Sequence, residues 1–413
     1  MKQRVVIINQ ALSNHGDEAA HKGLVRMLTS KYPDAEITVL MHIWPGMGPD
    51  DYSLFCPEEL KRTNYLRVHI DRSFRITIKY LWWLPAFMLG CLAPLISRNL
   101  RKIRQTLRSA NLIVNAPGGV DLGPYRNWAN LFRLLLSLQS GNPTAIYSIS
   151  FGPLPSTTPK DRRFSILTKH VLSQVQFLSL RDDKSQQYAK DIHIDYFPSA
   201  DTAFLDDTEH QIPPELTECL LYPYSVFVPN ALFQWHPNYP PSQREAFEGL
   251  YKSILDLLLG NDLHVVMLPQ LFGTQNDEAY FQNLSKGFPE SRVTVIPDRY
   301  SSEIQQAIIR NAEILVGARY HSVVFSIKNR IPFIALSYEH KISNLLTMAG
   351  LHDLMLDLHE IQNLTPESIR EKILFVLKNR NAIKKRVAGG HSKVLDIAQR
   401  TSKEFNRRFP LKK

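Results

Sequence analysis

Ile314-Leu-Val-Gly-Ala-Arg-Tyr-His-Ser-Val-Val-Phe-Ser326 is the stretch around which the chain is organised. Its apolar start, Ile314 to Val316 followed by Gly317, has the pattern of a strand buried on both faces that ends in a tight turn. Ser322 to Ile327 reads as the start of a helix packed beneath that turn. Arg319 and His321 therefore fall at the carboxyl end of a parallel strand and near a helix N-terminus. Open α/β sheets take their ligands in that crevice, and free backbone N–H groups there favour anions. A fixed cation beside a titratable imidazole suits chemistry on a phosphate or a carboxylate. The other reading is local: an Arg and a His that cap the helix and pair with surface acids.

Working outward, residues 5–9, 37–40, 112–115, 145–150, 177–180 and 195–197 read as strands, with helical spacing over 19–30 and a helix opening at Ser185. This alternation predicts a doubly wound parallel sheet. Residues 205–222, with Asp206-Asp-Thr-Glu209 and Pro213-Pro214, read as a linker. The alternation then resumes, with strands at 225–229, 264–268, 293–296, 314–316 and 332–337 and helices at 243–259 and 301–310. The expected fold class is α/β: two doubly wound parallel-sheet (Rossmann-like) domains, 1–204 and 222–413, facing each other across a cleft. The second is expected to end in a basic helical tail. That is the general architecture of the GT-B glycosyltransferases. Retaining sugar-nucleotide enzymes of that kind typically carry two glutamates eight apart in the second domain, whereas Glu339 is followed at that distance by Thr347.

With 413 residues, 44% hydrophobic and 21% charged, the chain has room for two ordinary globular cores. Cys56, Cys91 and Cys219 form neither a disulfide framework nor a zinc site. The N-terminus runs directly into a strand with no signal-peptide pattern, and the expectation is a cytoplasmic protein. A formal charge of +10 favours anionic partners. No nucleic-acid motif accompanies it, so nucleic acid is not expected. Lys384-Lys-Arg386 and Arg407-Arg408 in the tail read as a solvated helix face. From Leu81 to Ile96 the chain is uncharged, shorter than a membrane span, interrupted by two prolines and flanked by basic residues. Trp82 and Trp83 with those cations suit a peripheral, interfacial contact with the inner membrane; the alternative is a helix buried in the first domain.

Two further turns lie at strand ends. Ser13-Asn-His-Gly-Asp-Glu18 follows the first strand, where Asp17 and Glu18 are candidates for acid/base work, for binding hydroxyls, or simply for capping the next helix. Ala116-Pro-Gly-Gly-Val-Asp-Leu-Gly123 places two adjacent glycines where a backbone can approach a ligand closely.

Taken together, these motifs resemble the polysaccharide pyruvyl transferase family from Asn9 to about Leu351. The family's Gly-Asn-x-Gly-Asp-Glu turn is similar to Ser13-Asn-His-Gly-Asp-Glu18, with serine for the first glycine. Its triple-glycine turn resembles Pro117-Gly-Gly-Val120, with the third glycine lost. Its Val-Arg-Asp-x-x-Ser segment resembles Leu180-Arg-Asp-Asp-Lys-Ser185, and its Asp-Pro-Ala resembles Asp201-Thr-Ala203. Its long signature, Gly-x-Arg-x-His-Ser, a proline-containing strand and Ser-Tyr-x-x-Lys, is similar to Gly317-Ala-Arg-Tyr-His-Ser322, Pro332 and Ser337-Tyr-Glu-His-Lys341.

The resemblance implies transfer of the enolpyruvyl unit of phosphoenolpyruvate to two hydroxyls of a sugar, giving a pyruvate ketal. The donor carries a carboxylate and a phosphate on three carbons, so its site needs several converging cations. Arg181, Arg319, His321 and Lys341 are the candidates, between the domains, with guanidinium forks suited to either anion. His321 is the candidate to donate to the phosphate or to protonate the enol carbon, and Asp17 the candidate base for the acceptor hydroxyl. Asn14, Asp17, Gly118, Gly119 and Asp121 form the expected acceptor side. The acceptor would be a sugar or a lipid-linked oligosaccharide, and no metal or cofactor is expected. Arg181 has Asp182 and Asp201 as alternative partners, and Lys341 has a solvated helix start. Two other functions fit the same chain: a GT-B glycosyltransferase using a nucleotide sugar, and a non-catalytic membrane-associated scaffold of polysaccharide assembly.

Overall fold

A computed structural model of the chain describes residues 3–11, 14–42, 63–68, 84, 88, 91–92, 95, 97–207, 209–220, 223–273 and 276–410. Among these, every pairing between extended strands is parallel. Two units result: one of Met1–Leu12, Asp17–Asp206 and Asp396–Lys413, the other of Ser13–Gly16 and Asp207–Leu395.

Unit 1 is a seven-stranded sheet: β1 (Arg4–Gln10), β2 (Glu36–His42), β3 (Thr63–Val68), β4 (Leu112–Asn115), β5 (Thr144–Ile149), β6 (Phe177–Leu180) and β7 (Phe197–Pro198), in the order β3-β2-β1-β4-β5-β6-β7. Strand alternation sends β1 side chains to opposite faces. Val5 and Ile7 enter one core with Leu112 and Val114, while Val6 and Ile8 enter another with Ile113. Helices α1 (His15–Lys31), α2 (Arg98–Arg108), α3 (Trp128–Gln139), α4 (Pro159–Gln174) and α5 (Asp183–Asp191) connect the strands. The strand order reverses between β1 and β4, so the ligand crevice of this sheet lies there.

Unit 2 repeats the plan with β8 (Tyr224–Val228), β9 (His264–Met267), β10 (Val293–Val295), β11 (Ile314–Gly317), β12 (Phe333–Ser337) and β13 (Met355–Asp357), ordered β10-β9-β8-β11-β12-β13. Its longer helices are α6 (Arg244–Leu259), α7 (Glu278–Leu284), α8 (Ser302–Arg310), α9 (Tyr320–Asn329), α10 (His340–Ala349), α11 (Pro366–Lys378) and α12 (Arg380–Arg408). The central strands β8, β11 and β12 are buried along their whole length and mostly apolar, as a sheet covered on both faces requires. The reversal falls between β8 and β11.

Three features differ from the sequence-based expectation. The chain divides at Asp206/Asp207, and its last 18 residues belong to unit 1 rather than to the second domain. The reason is apolar: Phe405 and Phe409 are buried in the core around β1, and the Tyr32 hydroxyl donates to the Phe409 carbonyl at 2.6 Å. Arg407 and Arg408 stay exposed, as the reading of a solvated helix face expects, and both pair with Glu404. They hold that carboxyl at about 2. Finally, β3 and β13 were not anticipated; β13 is only three residues long, too short for a periodic signal. Among the described residues, no helix is long and apolar enough to cross a membrane. Trp82 and Trp83 lie outside the described residues, as does most of the Leu81 to Ile96 segment.

Candidate functional site

At the reversal in unit 2, the Gly-x-Arg-x-His-Ser motif is a single interlocked turn. Arg319, in extended backbone, is the N-cap of α9. The Ser322 hydroxyl donates to the Arg319 carbonyl at 2.6 Å. A Cβ on Gly317 would overlap that hydroxyl, so only glycine leaves room for the serine that fixes the turn. The Arg319 guanidinium then leaves the end of β11 and pairs through one Nη with Asp277. The other Asp277 oxygen accepts the backbone N–H groups of Gln270 and Leu271, both at 3.0 Å, at the end of β9. Asp277 thus orients the arginine from beyond the end of β9, two strands away from β11. Its side chain keeps 14% of its surface exposed, and among the described residues no acceptor meets its buried Nε.

His321, in the first turn of α9, is aligned by contacts on two sides. Its ring packs edge-on against Tyr320 and lies 6.3 Å from Phe325. Gly16 lies so close to it that any Cβ there would overlap the imidazole. Gly16 is held in place by its own neighbours. Asn14 bridges to Leu271, the His15 N–H donates to the Gln270 carbonyl at 3.0 Å, and the His15 ring reaches the Asp298 carbonyl at 2.9 Å. The glycine of the Asn-x-Gly-Asp turn is thus explained by the histidine of a motif some 300 residues away.

Beyond the next strand, β12, Lys341 in the first turn of α10 pairs at 3.0 Å with Glu339, the N-cap of that helix, and Glu339 also reaches His236 at 3.5 Å. Burial pushes the Glu339 carboxyl up, but Lys341 and His236 carry it below the usual carboxylate range. Burial also pushes the His236 imidazole below its ordinary value, against the pull of Glu339. Tyr239 packs on His236 and hydrogen-bonds His359 at 3.0 Å. Trp235, half exposed, donates from its indole to Asn230 at 3.2 Å. Asn230, His236, Asp277 and Glu339 were not assigned from the sequence. They occupy loops after strands and carry no spacing signal; only Glu339 lies inside a motif, at one of its variable positions.

In unit 1 the remaining motifs join one another. Arg181, at the end of β6, is buried and pairs with Asp201 at 2.6 Å, with its Nε donating to Ser150 at 3.3 Å. Asp201 also accepts the Ala203 N–H at 3.0 Å. The helix following Arg181 begins at Asp183. Its N-cap is Asp182, which accepts the N–H (2.8 Å) and the hydroxyl (2.6 Å) of Ser185, so Ser185 is a capping partner and not the first residue. Glu18 forms a buried ion pair with Lys22. Asp17 lies half-buried in the first turn of α1 and belongs to unit 1, whereas Asn14 belongs to unit 2.

Among the described residues, no atom beyond the adjoining chain lies within 4 Å of where a Cβ on Gly118 or Gly119 would stand. Asp121 accepts from the Asn130 amide at 2.8 Å. Behind it, at the β1/β4 reversal, lies a buried network. Asn9 donates to Asn115 at 2.7 Å, and Arg133 donates to the side-chain oxygens of Asn9 and Asn130, each at 2.5 Å. Asn9 adopts φ 61°, a left-handed conformation that asparagine tolerates. Burial pulls Arg133 down to about 10, opposed by Asp121. Among the described residues, no group of three or more His, Cys, Asp and Glu is placed to hold a metal ion.

Residues 14–340 match the family described as polysaccharide pyruvyl transferase. The amylovoran biosynthesis protein AmsJ of Erwinia amylovora is 22% identical over 409 residues, covering 93% of this chain and 94% of AmsJ. Two solved structures illustrate the fold. A UDP-N-acetylglucosamine 2-epimerase described as putative, from Listeria monocytogenes, has a TM-score of 0.60 at 11% identity, covering 100% of this chain and 98% of its own. A UDP-glucosyltransferase from Polygonum tinctorium has a TM-score of 0.58 at 11% identity, with 100% and 99% covered. At such identities the likeness concerns the fold alone, and that fold is GT-B-like.

Proposed function

The chain belongs to the polysaccharide pyruvyl transferase family, and from that premise we propose that it transfers the enolpyruvyl unit of phosphoenolpyruvate to a sugar of a surface polysaccharide or its precursor. The observation that carries the proposal is Arg319. It stands at the β8/β11 reversal, gripped by Asp277 through one nitrogen, with a buried Nε that no described acceptor meets. A guanidinium held in this way has a fork left for a planar anion. Lys341, at the end of the adjacent strand, adds a second cation, and His321 lies two residues on. A donor with a carboxylate and a phosphate on a three-carbon frame matches that spread of charge.

In the proposed reaction, His321 gives a proton to C3 of the enol, making C2 electrophilic. A sugar hydroxyl adds to C2. The C2–O bond to phosphate then breaks, and the leaving phosphate takes up a proton. A second hydroxyl closes the ketal and its proton is released, restoring His321. Two hydroxyl protons are lost in all, one replacing that spent on C3 and one carried by phosphate. Asp17 is proposed as the base for the acceptor hydroxyl, with Asn14, Gly118, Gly119 and Asp121 as acceptor contacts. Arg181, already paired with Asp201, is the weakest of the proposed donor contacts.

Thermal-shift titration separates this reading from its nearest rival. Phosphoenolpyruvate should raise the unfolding midpoint saturably, and UDP-sugars should not. Stabilisation by UDP-sugars alone would favour a nucleotide-sugar glycosyltransferase, and stabilisation by neither would favour a scaffold.

A further inference from the structure

From Asp71 to Asp121 the intervening chain carries eight Lys or Arg and no Asp or Glu. The described part of this stretch is anchored to unit 1 at both ends. Leu84 is buried in the core and its carbonyl accepts from Arg163 at 2.7 Å. Ser97 is buried and caps α2. Between these anchors Met88, Leu92 and Leu95 are 44%, 38% and 68% exposed, in helical backbone. All three are apolar side chains turned to solvent. The helix α2 then buries Leu100, Ile103 and Leu107 and turns Arg98, Arg101, Lys102 and Arg108 outward.

We propose that the exposed Met88, Leu92 and Leu95, together with the cationic face of the helix α2 that follows them in the chain, dock unit 1 onto an anionic phospholipid bilayer. A bilayer offers negative charge and an apolar interior side by side, and is indifferent to the spacing of either. A nucleic-acid backbone would take the cations but offers nothing to three aliphatic side chains. The surface lies outside the donor site, so the inference stands or falls independently of the reaction.

The test is co-sedimentation of the full chain with sucrose-loaded vesicles, phosphatidylcholine alone against phosphatidylcholine with 30% phosphatidylglycerol (about one anionic lipid in three). Wild type should pellet with the anionic vesicles only and be released by about 0.5 M salt, where screening shrinks to a few ångströms. Arg98→Gln/Lys102→Gln/Arg108→Gln should lower the partition coefficient on the order of 100-fold. Leu92→Ser/Leu95→Ser should lower it about tenfold or more. Wild type left in the supernatant overturns the proposal, and that comparison needs no variant. Unchanged binding by the double serine variant also overturns it, by reducing the patch to a site for any polyanion.

Discussion

Each unit places a buried or half-buried arginine at the point where its strand order reverses, yet the two are used differently. In unit 1, Arg133 is fully buried and donates from Nε and one Nη to the amide oxygens of Asn9 and Asn130. In unit 2, Arg319 is half-buried, held through one nitrogen by a carboxylate, with its Nε unmet among the described residues. Topology brings a guanidinium to both crevices, and on the proposed reading the partners decide which one is left to bind a ligand. The neutral amides satisfy hydrogen bonds and fix the side chain, while the charge of the buried guanidinium is supported by Asp121. A carboxylate on one corner orients the fork and leaves an edge for an anion.

The sharpest way to break this contrast is to remove the strut. Arg133→Ala leaves two buried amide oxygens without their donor and a cavity behind them, at a cost of about 3–5 kcal/mol in unfolding free energy. The fraction that stays folded should still bind phosphoenolpyruvate. Normal stability, read by urea denaturation, would remove the distinction. His321→Gln should do the converse, keeping stability while lowering turnover by about 10²–10⁴-fold, because glutamine donates a hydrogen bond but exchanges no proton. Near-wild-type phosphate release in that variant would place the acid elsewhere.

Gly16→Ala comes next. By helix propensity it should stabilise α1 by up to about 1 kcal/mol. Instead the added methyl displaces the His321 ring, and a loss of about 10–100-fold in turnover is expected from misplacement alone. A stabilised variant of full activity would show that the two residues do not constrain each other.

A further effect, confined to acid pH and away from the site, concerns His21. Burial, helped by Lys22, holds His21 at about 3, its ring nitrogen meeting the Gln10 amide oxygen at 2.9 Å beside β1. The unfolded chain binds this proton near 6.5 and the folded chain does not. Stability attributable to His21 is therefore complete above 6.5 and falls with pH at about 1.4 kcal/mol per unit between about 6 and 3. His21→Gln should flatten that part of the stability–pH curve by about one proton; an unchanged slope would mean the imidazole charges freely in the fold.

The sheets were legible because most of their strands are predominantly apolar runs ended by turn residues, and Arg319 and His321 were legible because they follow such a run at Gly317. The order of the motifs along the chain carried the family. What could not be read was pairing across long separations: Asp277 beneath Arg319, Asp201 on Arg181, Gly16 against His321. Arg133 sits in a stretch that is otherwise mostly apolar, Leu131-Phe-Arg-Leu-Leu-Leu136, and no local pattern distinguishes a buried arginine from a snorkelling one. Phe405 and Phe409 fall in a basic tail whose charge outweighs two aromatics in any compositional reading.

The central claim is that Arg319 binds the donor through its planar fork, and calorimetric titration of phosphoenolpyruvate into wild type and Arg319→Lys tests it most directly. Wild type should bind one equivalent per chain. Arg319→Lys, which keeps the charge and can still reach Asp277, should bind about 100-fold more weakly, since an ammonium cannot make the bidentate contact. Equal affinity in the two proteins, or no binding by wild type, would contradict the account.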